Sequence, residues 1–402
     1  MVTGLQGRNI LVGVSGSIAA FKAAGWVHAL AGEEARVTVI MTRSAVRFVS
    51  ELTFAALSAN RVHVDMFSPD PDRAMAHITL ARDADLILVA PATAHTIARL
   101  AGGLADDLLT TSVLAAAGKP VVICPAMNSA MYLHQATRDN ILRLRQLGYL
   151  VVEPGCGRLA CGEEGQGRLP EWECVREQLL ACCTEQDLAG KKVLVTAGPT
   201  REDIDPARYI SNRSSGKMGF AVARTARRRG AEVTLVTGPV DLDDPPYIKV
   251  VRVTSAREMR SAVLRCREEA DVIVKAAAVA DFRPAQSATH KVKKQTAPPV
   301  IDLVGNEDIL AELGEGKRDD QLLVGFAAES RDLENEGRRK LRQKNLDLVV
   351  VNDISRSDAG FAADTNQVLL IDRSGCRSLP LMSKEETADL IWDHIAGLLQ
   401  QQ

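Results

Sequence analysis

Short, wholly apolar runs alternate with longer helix-like stretches from residue 9 onward, and near residue 190 the series begins again. "NILVGV" leads through a glycine turn into "SGSIAAFKAAGWVHALAG", where small and apolar residues recur at helical spacing. "RVTVIMT", "ADLILVAPAT", "KPVVICPAMN" and "GYLVVEPG" continue the pattern as strands with helical segments between them. Strands without polar alternation are buried on both faces, which implies a parallel sheet covered by helices. "GKKVLVTAGPT" then repeats the logic of "GRNILVGVSGS". "EVTLVTGP", "IKVVRV", "DVIVKAAAVADF", "QLLVGFAAES", "DLVVVND" and "NQVLLIDRSG" follow, and "SKEETADLIWDHIAGLL" closes the chain as a helix. The expected fold is α/β, two doubly wound domains spanning residues 1–189 and 190–402, since 402 residues are too many for one ordinary core.

Charge narrows the partners. A formal net charge of -2 with 25% charged residues gives no overall attraction to nucleic acid or anionic membrane. The N-terminus lacks a basic region followed by an apolar run, and no stretch of eighteen uninterrupted apolar residues occurs, so a cytoplasmic protein is expected. Eight cysteines, two of them adjacent at Cys182 and Cys183, read as reduced thiols rather than a disulfide framework. "GCGRLACGEEGQGRLPE" (155–171) reads as a structureless, glycine-rich flap. Zinc there would want a second close pair, yet after Cys156 and Cys161 comes only Cys174, with no histidine nearby, and no metal ligands are assigned. "AQSATHKVKKQTA" has no hydrophobic period and reads as a surface loop.

Ligands of doubly wound sheets bind outside the carboxyl ends of the strands, so the residues after each apolar run are the ones to inspect. Gly16 and Ser17 in "SGSIAA" are placed to open a helix, where a glycine serves a steric turn and a phosphate cradle equally well. With Thr42 and Thr93, which close the next two apolar runs, they form the candidate cofactor contacts.

"SGSIAA", "AHITL", "APATAHTIARLAGGLADDLL", "PAMNSAMY" and "GCGRLACG", in that order, resemble the flavin-containing cysteine decarboxylases of the phosphopantothenoylcysteine decarboxylase branch. The resemblance implies a flavodoxin-like domain binding FMN. Losing carbon dioxide from an N-acylated cysteine leaves a carbanion with nothing to absorb its charge, so the thiol-bearing carbon must first be oxidised. By the same resemblance Cys161 is the proton donor for the final reduction, a role that suits a thiol with an ordinary pKa of about 8.5. The resemblance also implies that His77 is the active-site histidine and that Asn128 holds the substrate carboxylate; it assigns no role to Cys156.

The second half lacks both a Walker A loop, since Lys217 is followed by methionine, and a dinucleotide fingerprint. "AGPTREDIDPARYISNRSSGKMGFAVA" reads as a long polar loop before a helix beginning near Gly216, with Ser214 and Ser215 offered to phosphates. This loop, with "AAAVADF", "HKVKK", "GNEDI", "GFAAES" and "RRKLRQKNLDLVVVND", resembles phosphopantothenate–cysteine ligase on a Rossmann-like domain. The resemblance implies CTP and Mg2+, with Asn212 holding an acyl-cytidylate and Lys291 near the phosphates. Ala276, Ala277, Asp281, Asp308, Phe326, Lys340 and Lys344 would contact the nucleotide. Two departures from the family are Lys275, which enters "KAAAVADF", and the order of "GNEDI".

Fused in this order, the two halves identify the chain as a member of the bifunctional coenzyme A biosynthesis family. The resemblance implies small-molecule substrates and a homo-oligomer, a dodecamer of decarboxylase trimers and ligase dimers. A dehydrogenase on paired nucleotide-binding domains would need the missing G-x-G-x-x-G turn. A non-catalytic FMN-binding module would have no use for Cys161, Asn128 and His77 together with a complete ligase half.

Overall fold

The computed structural model describes residues 4–67, 75–293, 300–329, 331–353 and 363–401. The chain forms two compact units, the first ending at Thr184 and the second beginning at Glu185.

In the first unit the apolar runs become β1 (Asn9–Val14), β2 (Arg36–Met41), β3 (Val62–His63), β4 (Leu86–Ala92), β5 (Val121–Pro125) and β6 (Leu150–Val151). They pair in parallel in the order β3-β2-β1-β4-β5-β6. The β4 residues are all buried, and two apolar clusters are built on opposite faces of the sheet: Ile10 and Val12 alternate into one, Leu11 into the other. The segment at 155–171 is not structureless. It forms an antiparallel hairpin of β7 (Gly155–Arg158) and β8 (Glu164–Arg168). The first helix also differs from expectation: it runs Ala20–Gly32, so Gly16 and Ser17 lie in the turn ahead of it.

The second unit contains β9 (Lys192–Ala197), β10 (Arg201–Asp205), β11 (Arg208–Ser211), β12 (Glu232–Thr237), β13 (Lys249–Arg252), β14 (Val272–Lys275), β15 (Phe282–Pro284), β16 (Leu303–Gly305), β17 (Leu322–Glu329), β18 (Leu348–Asp353), β19 (Thr365–Asn366), β20 (Val368–Asp372), β21 (Cys376–Ser378) and β22 (Met382–Ser383). The main sheet runs β13-β12-β9-β14-β17-β18-β20-β21. Its first six strands repeat the order of the first unit, and β20 and β21 extend it antiparallel. β10–β11, β15–β16 and β19–β22 are separate antiparallel pairs.

The expected strand "DVIVKAAAVADF" stops at Lys275. Beyond it the backbone bends to bond the β9 strand and the loop after it, Ala276 N–H to the Thr196 carbonyl, Ala277 N–H to Thr196 Oγ1 and Ala280 N–H to Thr200 Oγ1. The closing helix, Lys384–Leu399, starts with a reciprocal capping box between Ser383 and Glu386 and buries Trp392 completely. The Trp392 indole donates to the Val222 carbonyl at 2.9 Å, so the large apolar body is buried without orphaning its polar edge.

Candidate functional sites

In each unit the strand order reverses beside the first strand, between β1 and β4 and between β9 and β14, and the crevice at such a reversal is where a doubly wound sheet takes a ligand. Gly16, Thr42 and Thr93 follow β1, β2 and β4, so the candidate cofactor residues meet at one switch point. Ser15 joins two of these loops, its Oγ donating to the Pro91 carbonyl at 2.6 Å and accepting the Thr93 N–H at 3.0 Å. A Cβ on Gly16 would overlap Ser44, which gives the glycine a steric reason.

The phosphate reading has its own support. Ser17 Oγ accepts the Ala19 N–H, but the N–H groups of Gly16 and Ile18 donate to nothing among the described residues. Thr93 caps the helix Ala94–Gly102, whose first N–H groups have no intrahelical acceptor. Free donors from two loops at one crevice fit the phosphate of FMN.

Next to this crevice, after β5, Asn128 caps the short helix Ser129–Leu133. Its Oδ1 accepts the Ala130 N–H at 2.8 Å, which fixes the amide and turns its NH2 toward the hairpin. Nδ2 donates to Cys161 Sγ at 3.3 Å and to Glu163 Oε2 at 2.7 Å, and the thiol reaches the same carboxylate at 3.6 Å. The hairpin is seated on residues 127–129 through its backbone carbonyls: the Met127 N–H donates to the Gly167 carbonyl at 2.9 Å, and the Ser129 hydroxyl donates to the Gln166 carbonyl at 2.7 Å. A side chain at Gly167 would overlap the Met127 carbonyl, and one at Gly165 would overlap Ser129 Oγ. The glycines therefore serve close approach, and this is why the segment is ordered where the sequence suggested a loose flap.

Two expected residues are thus brought together, Asn128 and Cys161, and one overlooked residue joins them, Glu163. No local pattern signals it, because its proximity depends on the turn at Leu159–Glu163 and the seat under the hairpin. His77 lies on the helix Ala76–Asp83 with its Nδ1 buried and unpartnered, and makes no hydrogen bond to the Asn128–Cys161 pair. Cys156 is exposed on β7 opposite Gln166. None of the eight cysteines is bridged to another.

In the second unit the polar loop after β9 contains the β10–β11 hairpin, turned at Pro206-Ala207, a signal the sequence did carry. Asn212, just beyond it, donates from Nδ2 to the carbonyls of Ala278 and Val279, both at 3.1 Å, and so ties the two loops flanking the switch point. Gly216 sits at φ 78 and caps the helix Lys217–Arg228, with Ser214 Oγ accepting its N–H. Gly219 lies against Ala197, where a Cβ would come within 2.6 Å, so this helix packs directly on β9.

Lys275 is the surprise. At the end of β14 it feels Asp308, Lys344, Asp281 and Lys340, four of the expected nucleotide contacts. Burial of the ammonium pushes its pKa down to about 8, and the two neighbouring lysines add to the effect against the two aspartates. Lys340 and Lys344 do not converge as a free pair: Lys340 Nζ reaches Glu329 at 2.6 Å and Lys344 Nζ reaches Asp308 at 2.6 Å. Asp308 also caps the helix Ile309–Glu315; burial opposes its ionisation, but Lys344 and the helix N–H groups hold its carboxyl below the usual range. Asp281 is exposed, and Phe326 lies half-buried on β17. Ala276 and Ala277 have their N–H groups engaged with Thr196, and the Ala277 methyl is buried in the apolar core.

Lys291 is exposed, while its neighbour Val292 is anchored: its N–H donates to Asp205 at 3.1 Å and its carbonyl accepts from Arg208 at 3.0 Å. The Arg208 guanidinium holds the Asp205 carboxyl well below the usual range. Lys294, the last residue of "KVKK", lies outside the described residues. Among the described residues no cluster of three His, Cys, Asp or Glu side chains is suited to a metal ion.

Two doubly wound units, each gathering polar and reactive side chains at its switch point, define a two-domain α/β enzyme with nucleotide-type sites. The family model described as Flavoprotein matches residues 3–183, and the one described as DNA/pantothenate metabolism flavoprotein C-terminal domain matches residues 188–399. The coenzyme A biosynthesis bifunctional protein CoaBC of Bacillus subtilis is 49% identical over 402 residues, covering 99% of this chain and 98% of the relative. Its namesake in Mycobacterium tuberculosis is 48% identical over 409 residues, covering 98% and 97%. A crystal structure of the C-terminal domain of such a protein matches with 42% identity and a TM-score of 0.47, over 54% of this chain and all of that one. The chain belongs to the family of coenzyme A biosynthesis bifunctional proteins. It is a bifunctional enzyme in which a ligase and an FMN-binding flavoprotein decarboxylase are joined.

Proposed function

We propose that the second unit joins cysteine to 4'-phosphopantothenate and that the first converts the resulting phosphopantothenoylcysteine to 4'-phosphopantetheine. A carboxylate is a poor electrophile with no leaving group, so ligation begins with activation. CTP loses pyrophosphate as its cytidylyl group is transferred to the carboxylate, and the cysteine amine then attacks the acyl-cytidylate and expels CMP. Asn212 holds the activated acyl group, Lys291 approaches the phosphates, and Lys275, Lys340 and Lys344 supply positive charge near the nucleotide. Mg2+ enters with the triphosphate and is held largely through it.

In the first unit FMN supplies the two-electron oxidation of the thiol-bearing carbon and its later reversal. Gly16, Ser17, Thr42 and Thr93 hold the cofactor. The Asn128 amide donates to the substrate carboxylate without neutralising it, so the charge is free to leave as carbon dioxide. Cys161 supplies the proton for the final reduction, His77 serves the initial oxidation as base or hydrogen-bond partner, and the hairpin excludes water. The 3.3 Å contact between Asn128 and Cys161 carries this reading: it brings the carboxylate-binding amide and the acid to one point beside the switch crevice.

The assembly we propose is a dodecamer of decarboxylase trimers and ligase dimers. Large apolar side chains left exposed on both units support it, among them Phe67 and Leu52 on the first and Val300 and Phe282 on the second. Eight unbridged cysteines suit the reducing cytoplasm, the compartment we propose. No helix among the described residues is long and apolar enough to cross a membrane.

The test is mass spectrometry of the products formed by FMN-loaded protein with 4'-phosphopantothenate, CTP, Mg2+ and cysteine. The expected products are 4'-phosphopantetheine, CMP, pyrophosphate and carbon dioxide. Accumulation of phosphopantothenoylcysteine alone would remove the decarboxylase assignment, and no conversion would remove both.

A further inference from the structure

We propose that Glu163 is a stand-in for the substrate carboxylate: it engages the Asn128 amide and must be displaced before an acylated cysteine can bind. The inference rests on the decarboxylase reading and adds a specificity-determining residue to it. Asn128 Oδ1 is engaged by the Ala130 N–H, so the amide cannot flip to present its oxygen, and its only donors are the two Nδ2 hydrogens. Those are directed to Glu163 Oε2 at 2.7 Å and Cys161 Sγ at 3.3 Å. An arriving carboxylate finds no free N–H on this amide and takes its place by replacing the carboxylate already there.

Charge favours exchange over sharing. Glu163 is exposed and has no cationic partner among the described residues, so a second carboxylate beside it meets a repulsion that solvent weakens but no counter-charge cancels. Exchange does not require the hairpin to open. The Glu163 carbonyl accepts the Leu159 N–H at 2.7 Å and fixes its backbone in the turn, while the exposed side chain is free to rotate. The cost of displacing Glu163 falls on any ligand that bears the carboxylate and on none that lacks it.

Two probes differing only in that group test this: the serine analogue of phosphopantothenoylcysteine, whose hydroxyl replaces the oxidisable thiol, and its decarboxylated counterpart, the ethanolamine amide. Their dissociation constants are measured by calorimetry on the FMN-loaded full chain, for the parent protein, Glu163→Gln and Glu163→Ala. Removing the competing charge should tighten the carboxylate probe roughly fivefold in both variants, the size of a like-charge repulsion at an exposed site, and leave the ethanolamine probe unchanged. Parallel shifts for both probes, or weaker binding of the carboxylate probe in Glu163→Gln, would overturn the proposal and leave the decarboxylase reading intact. Failure of both probes to bind the parent protein would overturn the decarboxylase reading and the proposal with it.

Discussion

The two units share one strand order and one place for their chemistry, yet they fix that chemistry by opposite means. In the first, the element carrying Cys161 is seated by the absence of side chains: Gly165 and Gly167 let the hairpin lie directly on Met127, Asn128 and Ser129. In the second, the loops are held by side chains: the Asn212 amide bridges to Ala278 and Val279, and Asp205 gathers Arg208 and the Val292 N–H. The charge plan differs too. The thiol site is at the surface and contains one carboxylate with no cationic partner among the described residues, whereas the other site holds a half-buried lysine among two aspartates and two more lysines. A shared sheet therefore specifies where a site can be, and the loops decide what holds it and what it does.

The strongest test of this division is Cys161→Ser. Oxidative decarboxylation should continue while formation of 4'-phosphopantetheine falls at least about a hundredfold, the scale of losing a general acid, with ligation untouched. Mass spectrometry should find the unreduced, decarboxylated product accumulating; full activity would remove Cys161 from its role. The mirror experiment is Asn212→Ala, expected to lower CMP release about a hundredfold by loosening the reacting groups, while decarboxylation of supplied phosphopantothenoylcysteine proceeds at the parent rate. A loss in both reactions would mean that the units are not separable.

Gly167→Ala probes the backbone seat itself. Gly167 has φ 147 and faces the Met127 carbonyl, so a methyl there imposes strain of about 1–3 kcal/mol. The expected result is roughly a tenfold loss of decarboxylation with FMN content and ligation unchanged. Unaltered decarboxylation would show that the hairpin's seat is not needed.

The smallest effect concerns Lys275. With a folded pKa near 8 against an ordinary 10.5, Lys275 releases its proton more readily in the folded chain. Between those values the unfolded chain binds more protons, so stability of the second unit should rise as pH increases from about 8 toward 10.5. Urea unfolding across that window should show the rise, and Lys275→Met should flatten it. A slope unchanged by the substitution would place the titration elsewhere.

Much of this was legible from residue types alone. Runs such as "NILVGV" and "KKVLVTAG" leave few alternatives to buried parallel strands, because they have no polar face to give to water. The segment at 155–171 was not legible, since glycine has a low strand propensity and "GCGR" pairs with "EGQGR" where the latter rests on residues 127–129. "AAAVADF" was misread as strand for the converse reason: its apolar residues suit one, but Thr196 and Thr200 draw its backbone aside.

The sequence by itself determined two cores, their order along the chain and the family to which each motif belongs, because hydrophobic burial and glycine turns act through local composition and spacing. Only the tertiary structure decided that Glu163 shares the Asn128 amide with Cys161, and that Lys275 stands among Asp281, Asp308, Lys340 and Lys344. Hydrogen bonds and Coulomb forces act over a few ångströms, and contacts between residues far apart in the chain exist only once the strand order and the loop seats are fixed.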